Sequence, residues 1–159
     1  MPAQPLDLYH ARVQAEWIDY NGHMNLAFYV LVFDKATDAL LDRLGIGEDY
    51  RRRTECTTFV LEAHLTYERE VKQDAPLRVA TQLIDADEKR LHLFHIMYHG
   101  ETGHRLATNE LLSLHVDLAG PHAAPFPEAA RPAIAALLAE HRTLPRPRQL
   151  GRTIGIRRR

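Results

Sequence analysis

The sequence predicts an α+β domain that combines one long buried helix with an antiparallel sheet. Residues 26–33 are apolar on every side, which is typical of a helix enclosed by other structure. Four strand candidates follow the helix with only short breaks between them, and short breaks join antiparallel neighbours. At 159 residues and 45% hydrophobic content, the chain is expected to form one domain with a sizeable core.

The long helix is predicted to run from Leu26 to about Leu44. Asn25 can cap its start, and Gly45 can end it in a left-handed conformation. Aspartates at positions 34, 38 and 42 repeat every four residues and therefore make one solvated stripe. We expect the first half of this helix to be enclosed and its second half to face solvent on one side.

The strands are predicted from turn-rich breaks between apolar segments. A first strand precedes the long helix at residues 8–15. Four more are predicted at residues 57–70, 77–85, 90–98 and 104–116, and together they would form a meander. A second helix is expected at residues 129–141. The predicted domain therefore spans residues 1–141, and residues 142–159 form a basic Pro- and Arg-rich tail, extended or mobile.

Charge and composition limit the partners and the compartment. The formal net charge of −1 gives no reason to expect a nucleic acid or a membrane as a partner. A single cysteine, Cys56, rules out an internal disulfide and suits a reducing compartment. The first residues lack the pattern of a signal peptide, and no segment is long and apolar enough to span a bilayer. A cytoplasmic protein is expected.

The chemically richest stretch is Trp-Ile-Asp-Tyr-Asn-Gly-His-Met-Asn at residues 17–25, directly before the long helix. A helix N-terminus offers unpaired N–H groups and a partial positive charge, which favour an oxyanion. Asp19, a few residues upstream, could supply a nucleophile or a general base. The alternative is that Asp19 is only a turn residue or a helix-end acid. Hydrolysis of an ester or thioester needs a carboxylate of this kind beside the N–H groups that bind the oxyanion.

The other polar residues of this stretch have competing interpretations. Asn25 is predicted to be the helix cap, and Asn21 is a candidate turn residue, because asparagine tolerates a left-handed conformation. His23 could be an acid–base group, a donor to a carbonyl or a packing residue. All three remain candidates for the site.

Further candidates lie on the predicted strands. Glu62 and His64 are two residues apart and share one strand face with Thr58 and Val60, either in solvent or in a cleft. Histidines at positions 92, 95, 99, 104 and 115 lie on or beside the strands predicted at residues 90–98 and 104–116. Since none is on a predicted helix, the four-residue spacing of His95 and His99 does not make a helical ligand pair, and no metal site is expected.

The stretch at residues 17–25 and the order of predicted elements resemble the acyl-CoA thioesterases of the hotdog fold, near the 4-hydroxybenzoyl-CoA thioesterase branch. In that branch the catalytic aspartate precedes the central helix, a glycine follows it, and an aromatic residue lies in the first helical turn. Asp19, Gly22 and Tyr29 match this pattern. The resemblance implies a sheet wrapped around one central helix and a site between subunits of a homodimer or homotetramer. His23 departs from it, because an apolar residue is common there.

The His-x-Asn pattern is also similar to a segment of plant-type acyl-carrier thioesterases, in which the asparagine and histidine of the loop are functional. A narrower resemblance links residues 17–25, 62–64, 87–95 and 115–117 to the thioesterases of bacterial carnitine breakdown, which cleave betainyl-CoA. A quaternary ammonium group is held by aromatic faces and carboxylates. Trp17, Tyr20, Tyr29, Glu62 and His64 are therefore the candidate substrate pocket.

The resemblance implies a mechanism without a cofactor, in which an acyl-CoA is the substrate. The N–H groups of Met24, Asn25 and Leu26 would form the oxyanion site, and Asp19, Asn21 and His23 would act on the thioester. Lys89 and Arg90 are candidates for the CoA phosphates. Two alternatives stay open, an enoyl-CoA hydratase of the same fold and a non-catalytic acyl-CoA-binding protein.

Overall fold

A computed structural model of the chain describes residues 3–158 and confirms the α+β class. The three helices are α1 (Leu26–Arg43), α2 (Glu48–Arg53) and α3 (Arg131–His141), and a short 3₁₀ turn covers Ala15–Trp17. The strands are β1 (Leu6–Arg12), β2 (Cys56–Tyr67), β3 (Pro76–Ala86), β4 (Arg90–His99), β5 (Arg105–Asp117) and β6 (His122–Ala123). Among the described residues, no helix combines the length and the apolar character needed to span a membrane.

The sheet is antiparallel throughout and has the order β1-β3-β4-β5-β2, with β6 beside the end of β5. The predicted four-strand meander is wrong for its first strand. Strand β2 pairs with β5 rather than with β3, because residues 68–75 carry the chain across the start of α1. Only β3, β4 and β5 form a true meander. Consequently β1 and β2 are the two long edge strands.

The predicted first strand at residues 8–15 is displaced by about two residues. It ends at Arg12, opposite Pro76, and the 3₁₀ turn at Ala15–Trp17 follows. This early end matters for the site, because it makes room for a loop between β1 and α1. The other predicted strand bounds and the two predicted helices agree with the structure to within about three residues.

Helix α1 lies on one face of the sheet, which we call the inner face. Phe33 of α1 stacks on His95 of β4 with 5.9 Å between ring centroids, so His95 marks the inner face of that strand. Buried residues of α1, including Val32 and Leu40, pack with the inner-face side chains of β3 and β4. Helix α3 closes the far end of this core through Leu137 and Leu138.

The expectation that the first half of α1 is enclosed is wrong for a single chain. Leu26 is 62% exposed and Val30 is 42% exposed, whereas Val32 and Phe33 are fully buried. The side of α1 that carries Leu26, Val30 and Leu31 therefore faces outward. These side chains form an exposed apolar patch on the surface of the chain.

Strand β2 contains a bulge that changes which side chains share a face. Val60 is opposite Ser113, but Glu62 is opposite Leu112, so one extra residue, Leu61, lies between them. Val60 and Glu62 consequently point to opposite faces. The predicted grouping of Thr58 and Val60 with Glu62 and His64 is wrong, although Glu62 and His64 do share a face.

The tail after α3 has no helix or strand over residues 142–158, and it is held against the sheet. The Gln149 side chain donates to Glu68 at 2.9 Å, and the Gly151 N–H donates to Glu110 Oε2 at 2.7 Å. Glu110 points away from α1, because it neighbours the inner-face residues Asn109 and Leu111 on β5. The tail therefore crosses the outer face of the sheet.

Candidate active site

The loop between β1 and α1 is a closed turn. Ile18 and Met24 form an isolated antiparallel bridge, and the Asp19 N–H donates to the His23 carbonyl at 3.0 Å. Gly22 occupies the turn with φ +77°, a left-handed conformation that glycine adopts without strain. The loop thus has a fixed shape, and its turn presents Asp19 directly before the helix.

The Asp19 carboxylate is oriented by donors from its own loop. Its Oδ1 accepts the Asn21 N–H at 2.8 Å, and its Oδ2 lies 3.5 Å from Asn25 Nδ2. Asp19 itself is half-buried, while the Asn21 side chain is exposed. Asp19 is therefore a turn residue, as one interpretation predicted. Its carboxylate is also partly accessible, so a turn position does not exclude a chemical role.

The start of α1 offers fewer N–H groups than expected. The Met24 N–H donates to the Val71 carbonyl at 2.8 Å, and the Asn25 N–H donates to the Trp17 carbonyl at 2.9 Å. The Asn25 side chain caps the helix by accepting the Ala27 N–H at 3.0 Å, as predicted. Among the described residues, only the Leu26 N–H of the three proposed donors has no hydrogen-bond partner. Of the three proposed oxyanion donors, the Leu26 N–H is therefore the remaining candidate.

The predicted aromatic residues occupy three different environments. Trp17 stacks on Phe28 with 5.5 Å between ring centroids. Tyr29 is buried, and its hydroxyl donates to the Arg69 carbonyl at 3.2 Å. Burial raises the pKa of Tyr29 to about 12, with a further contribution from Glu70. Tyr20 is 98% exposed. One chain therefore does not assemble these three rings around a common cavity.

Sequence reasoning missed Tyr67, which belongs to this end of the molecule. Its hydroxyl donates to the Leu26 carbonyl at 3.3 Å, and its ring packs edge-on against Tyr29 at 5.3 Å. Tyr67 is an odd number of residues from Glu62, so strand alternation puts it on the opposite face, and that pattern gives no reason to expect a polar contact. The contact ties the edge strand to the first turn of the helix.

His23 faces a different surface from the Asp19 carboxylate. It lines a cavity of about 520 Å³ together with Glu70, Lys72, His99 and Glu101, and Asp19 does not line it. Nothing within the described residues hydrogen-bonds to the His23 ring, although its backbone carbonyl holds Asp19. The structure thus brings His23 beside the loops that follow β2 and β4.

Glu62 and His64 lie on the outer face of the sheet. They pair with Leu112 and Glu110, and the cavity that they line contains none of residues 17–29. Since α1 and Asp19 belong to the inner side, one chain does not bring Glu62 and His64 together with the loop.

Lys89 and Arg90 are also remote from the loop within one chain. They follow the Ala86 end of β3, whereas the loop follows the Arg12 end of β1, which pairs with Pro76 at the other end of β3. Eleven strand residues separate the two ends, a distance of about 30 Å. Arg90 is moreover paired with Asp87, and this pairing lowers the pKa of Asp87 to about 2.

An antiparallel sheet that curls around one long central helix is the hotdog fold, and in this chain an oriented carboxylate precedes that helix. The chain belongs to the thioesterase-like superfamily, whose family model matches residues 13–135.

Relatives of known name narrow this class. A betainyl-CoA thioesterase from Pseudomonas aeruginosa PAO1 is 44% identical over 154 residues, which cover 97% of each chain. An L-carnitine dehydrogenase/betainyl-CoA thioesterase from Agrobacterium fabrum C58 is 41% identical over 125 residues, which cover 79% of this chain and 25% of that longer protein.

A solved structure is similar over almost the whole length. A Staphylococcus aureus protein in complex with CoA has a TM-score of 0.91 and 30% identity, and the match covers 99% of this chain and 98% of that chain. The matched part of this chain includes most of the tail after α3.

Proposed function

We propose that the protein hydrolyses an acyl-CoA thioester and that its preferred acyl group is betainyl. The observation that carries the proposal is the Asp19 carboxylate, held by the Asn21 N–H in the loop before α1. At the start of α1, the Leu26 N–H has no hydrogen-bond partner among the residues that the structure describes. The betainyl part is supported by the 44% identity to the Pseudomonas aeruginosa enzyme over 97% of both chains.

The reaction needs only groups on this chain and water. The thioester carbonyl oxygen accepts the Leu26 N–H, where the partial positive charge of the helix stabilises the developing oxyanion. Oxygen from Asp19, or from a water that Asp19 deprotonates, bonds to the carbonyl carbon. The C–S bond then breaks, and CoA leaves as a thiolate that takes up a proton. In the first route, water hydrolyses the resulting anhydride and regenerates Asp19.

Asp19→Asn tests this role directly. The change keeps the size and the loop turn but removes the negative charge, so we expect kcat to fall by about 10²- to 10⁴-fold. Asp38→Asn, an exposed acid on α1, is the matched control and should keep its activity. A folded Asp19→Asn enzyme with the turnover of the wild type would refute the mechanism. Separate assays for CoA release and for hydration of a crotonyl thioester distinguish the hydratase alternative.

The acyl group is tested by a pair of substrates that differ in charge alone. Betainyl-CoA carries a quaternary ammonium, and 3,3-dimethylbutyryl-CoA has the same shape without the charge. An aromatic face attracts a desolvated cation by about 2 kcal/mol, which corresponds to about thirtyfold in kcat/KM. Equal values for the two esters would refute the betainyl proposal and leave the thioesterase proposal intact.

We infer further that the working enzyme is a homo-oligomer. Apolar side chains remain exposed on β2 and on the adjoining side of α1, and we call this set the apolar edge. It consists of Leu26, Val30, Leu31, Phe59, Val60, Leu61 and Tyr67. Strand β2 is a sheet edge of twelve residues, and a long apolar edge pairs readily with another chain. A second copy covering this edge would also bring a partner surface to the exposed Tyr20.

A further inference from the structure

The outer face of the sheet carries a second cavity that the proposed reaction does not use. It has a volume of about 360 Å³ and lies beneath the tail. Its polar lining comes from β2, β4, β5 and the tail, namely Glu62, His64, His92, Glu110 and Arg152, with Leu112 as an apolar floor. We call it the outer-face cavity.

Two of its polar side chains are hydrogen-bonded to each other. His92 Nε2 lies 2.9 Å from Glu110 Oε1, and both side chains are largely shielded from solvent. The second Glu110 oxygen accepts the Gly151 N–H at 2.7 Å. Each oxygen of Glu110 therefore already accepts one hydrogen bond from the protein. Its role is to fasten the tail over the cavity and to fix the His92 ring.

The cavity is also lined by two side chains of opposite charge that have no ion-pair partner among the described residues. Glu62 and Arg152 line the same cavity, yet within residues 3–158 neither has an ion-pair partner within 4 Å, and they do not pair with each other. The His64 ring, diagonal to them on the outer face, also has no hydrogen-bond partner among the described residues. A carboxylate and a guanidinium that face one cavity without touching are complementary to a ligand that bears both charges.

We propose that the outer-face cavity binds a small zwitterion, a molecule with a carboxylate and an ammonium group a few atoms apart. Arg152 offers a planar pair of donors to the ligand carboxylate, and His64 offers a further donor beside it. Glu62 faces the ammonium group, and Leu112 contacts the carbon chain between the two charges.

Binding of this ligand also orders the tail. Gln149 and Gly151 of the tail are already bonded to Glu68 and Glu110, so a ligand carboxylate held by Arg152 adds a third attachment between the tail and the sheet. Trypsin cleavage after Arg148 and after Arg152 should therefore slow when the cavity is filled.

Calorimetry with glycine betaine as the zwitterion tests the proposal. Choline carries only the cation and 3,3-dimethylbutyrate only the anion, so both should bind at least about tenfold more weakly, given that hydrogen bonds and ion pairs to charged groups contribute most of the recognition. The Glu62→Gln and Arg152→Gln variants should each weaken glycine betaine binding by a similar factor. Arg148→Gln changes an exposed tail arginine outside the cavity and is the matched control.

A separate variant distinguishes this site from the active site. Asp19→Asn should keep full glycine betaine binding and the same slowing of trypsin cleavage, even though it loses turnover. Binding that disappears in Asp19→Asn but persists in Glu62→Gln and Arg152→Gln would place the ligand at the active site and overturn the proposal. Absence of binding to the folded wild type, or equal binding of choline and glycine betaine, would overturn it as well.

Discussion

His95 provides a quantitative test of the core, because a histidine inside the protein must stay neutral. It is fully buried on β4 between two hydroxyls and the ring of Phe33. Thr37 donates to the Phe33 carbonyl at 3.1 Å, so its oxygen accepts from His95 Nε2 at 3.0 Å. The Thr81 hydroxyl then donates to His95 Nδ1 at 2.8 Å. This network uses both ring nitrogens of a neutral imidazole and leaves no acceptor for a second proton.

Burial lowers the pKa of His95 from 6.5 to about 3. Between these values the unfolded chain binds a proton that the folded chain refuses. Neutral His95 therefore costs the folded state no stability above pH 6.5, and the free energy of unfolding falls progressively as the pH drops from 6.5 toward 3. One proton corresponds to about 1.4 kcal/mol per pH unit, so the loss from His95 between about pH 7.5 and about pH 5 amounts to about 2 kcal/mol.

His95→Gln removes the titrating ring, and urea unfolding across this pH range measures the difference from the wild type. We expect the variant to be less stable at neutral pH by about 1–3 kcal/mol, because two buried hydroxyls lose their partners. That difference should shrink by about 2 kcal/mol at about pH 5, where only the wild type bears the cost of a neutral histidine. His104→Gln, at an exposed position, should follow the wild type at every pH. A difference between His95→Gln and the wild type that does not change with pH would refute the reasoning.

Three further predictions concern the apolar edge and the loop. Leu61→Lys places a charge in the bulge of β2 and should convert the oligomer to monomers, as measured by light scattering, with loss of turnover; an unchanged mass would contradict the proposed interface. Gly22→Ala meets no atom within 4 Å but must adopt φ +77°, so it should lower the free energy of unfolding by about 1–2 kcal/mol without a steric clash. Tyr67→Phe removes the hydroxyl that holds the Leu26 carbonyl and should reduce kcat by about threefold to tenfold while the melting temperature stays near that of the wild type; a change in stability alone would argue against a positioning role.

The local parts of the fold were predictable because their causes lie close together in the sequence. The bounds of α1 follow from the Asn25 cap and from Gly45, whose φ is +76°. The strand bounds follow from turn residues. The loop at residues 17–25 was located correctly because it combines a glycine, an aspartate and a helix start within nine positions.

The predicted strand pairing and strand faces were wrong where contacts between residues distant in sequence determine the structure. Pairing of β2 with β5 instead of β3 depends on residues 68–75, which cross the start of α1 and hold the Met24 N–H through Val71. No local pattern encodes that contact. The Leu61 bulge shows the same limit, because a single extra residue reverses the face of every side chain before it. Helix α2 was missed because its six residues are too few to show an apolar period.

The apolar edge connects one of these errors with the proposed site. The sequence predicted a fully enclosed first half of α1, and the single chain leaves Leu26 and Val30 exposed. The same pattern is explained if the enclosing structure belongs to a second copy, because the exposed side of α1 and the edge strand β2 meet at the contact between Tyr67 and Leu26. That contact lies at Leu26, whose N–H is, among the three proposed donors, the one without a hydrogen-bond partner within residues 3–158. Covering the apolar edge would therefore exclude water from the position where the oxyanion develops, and exclusion of water strengthens the stabilisation that a single N–H can provide.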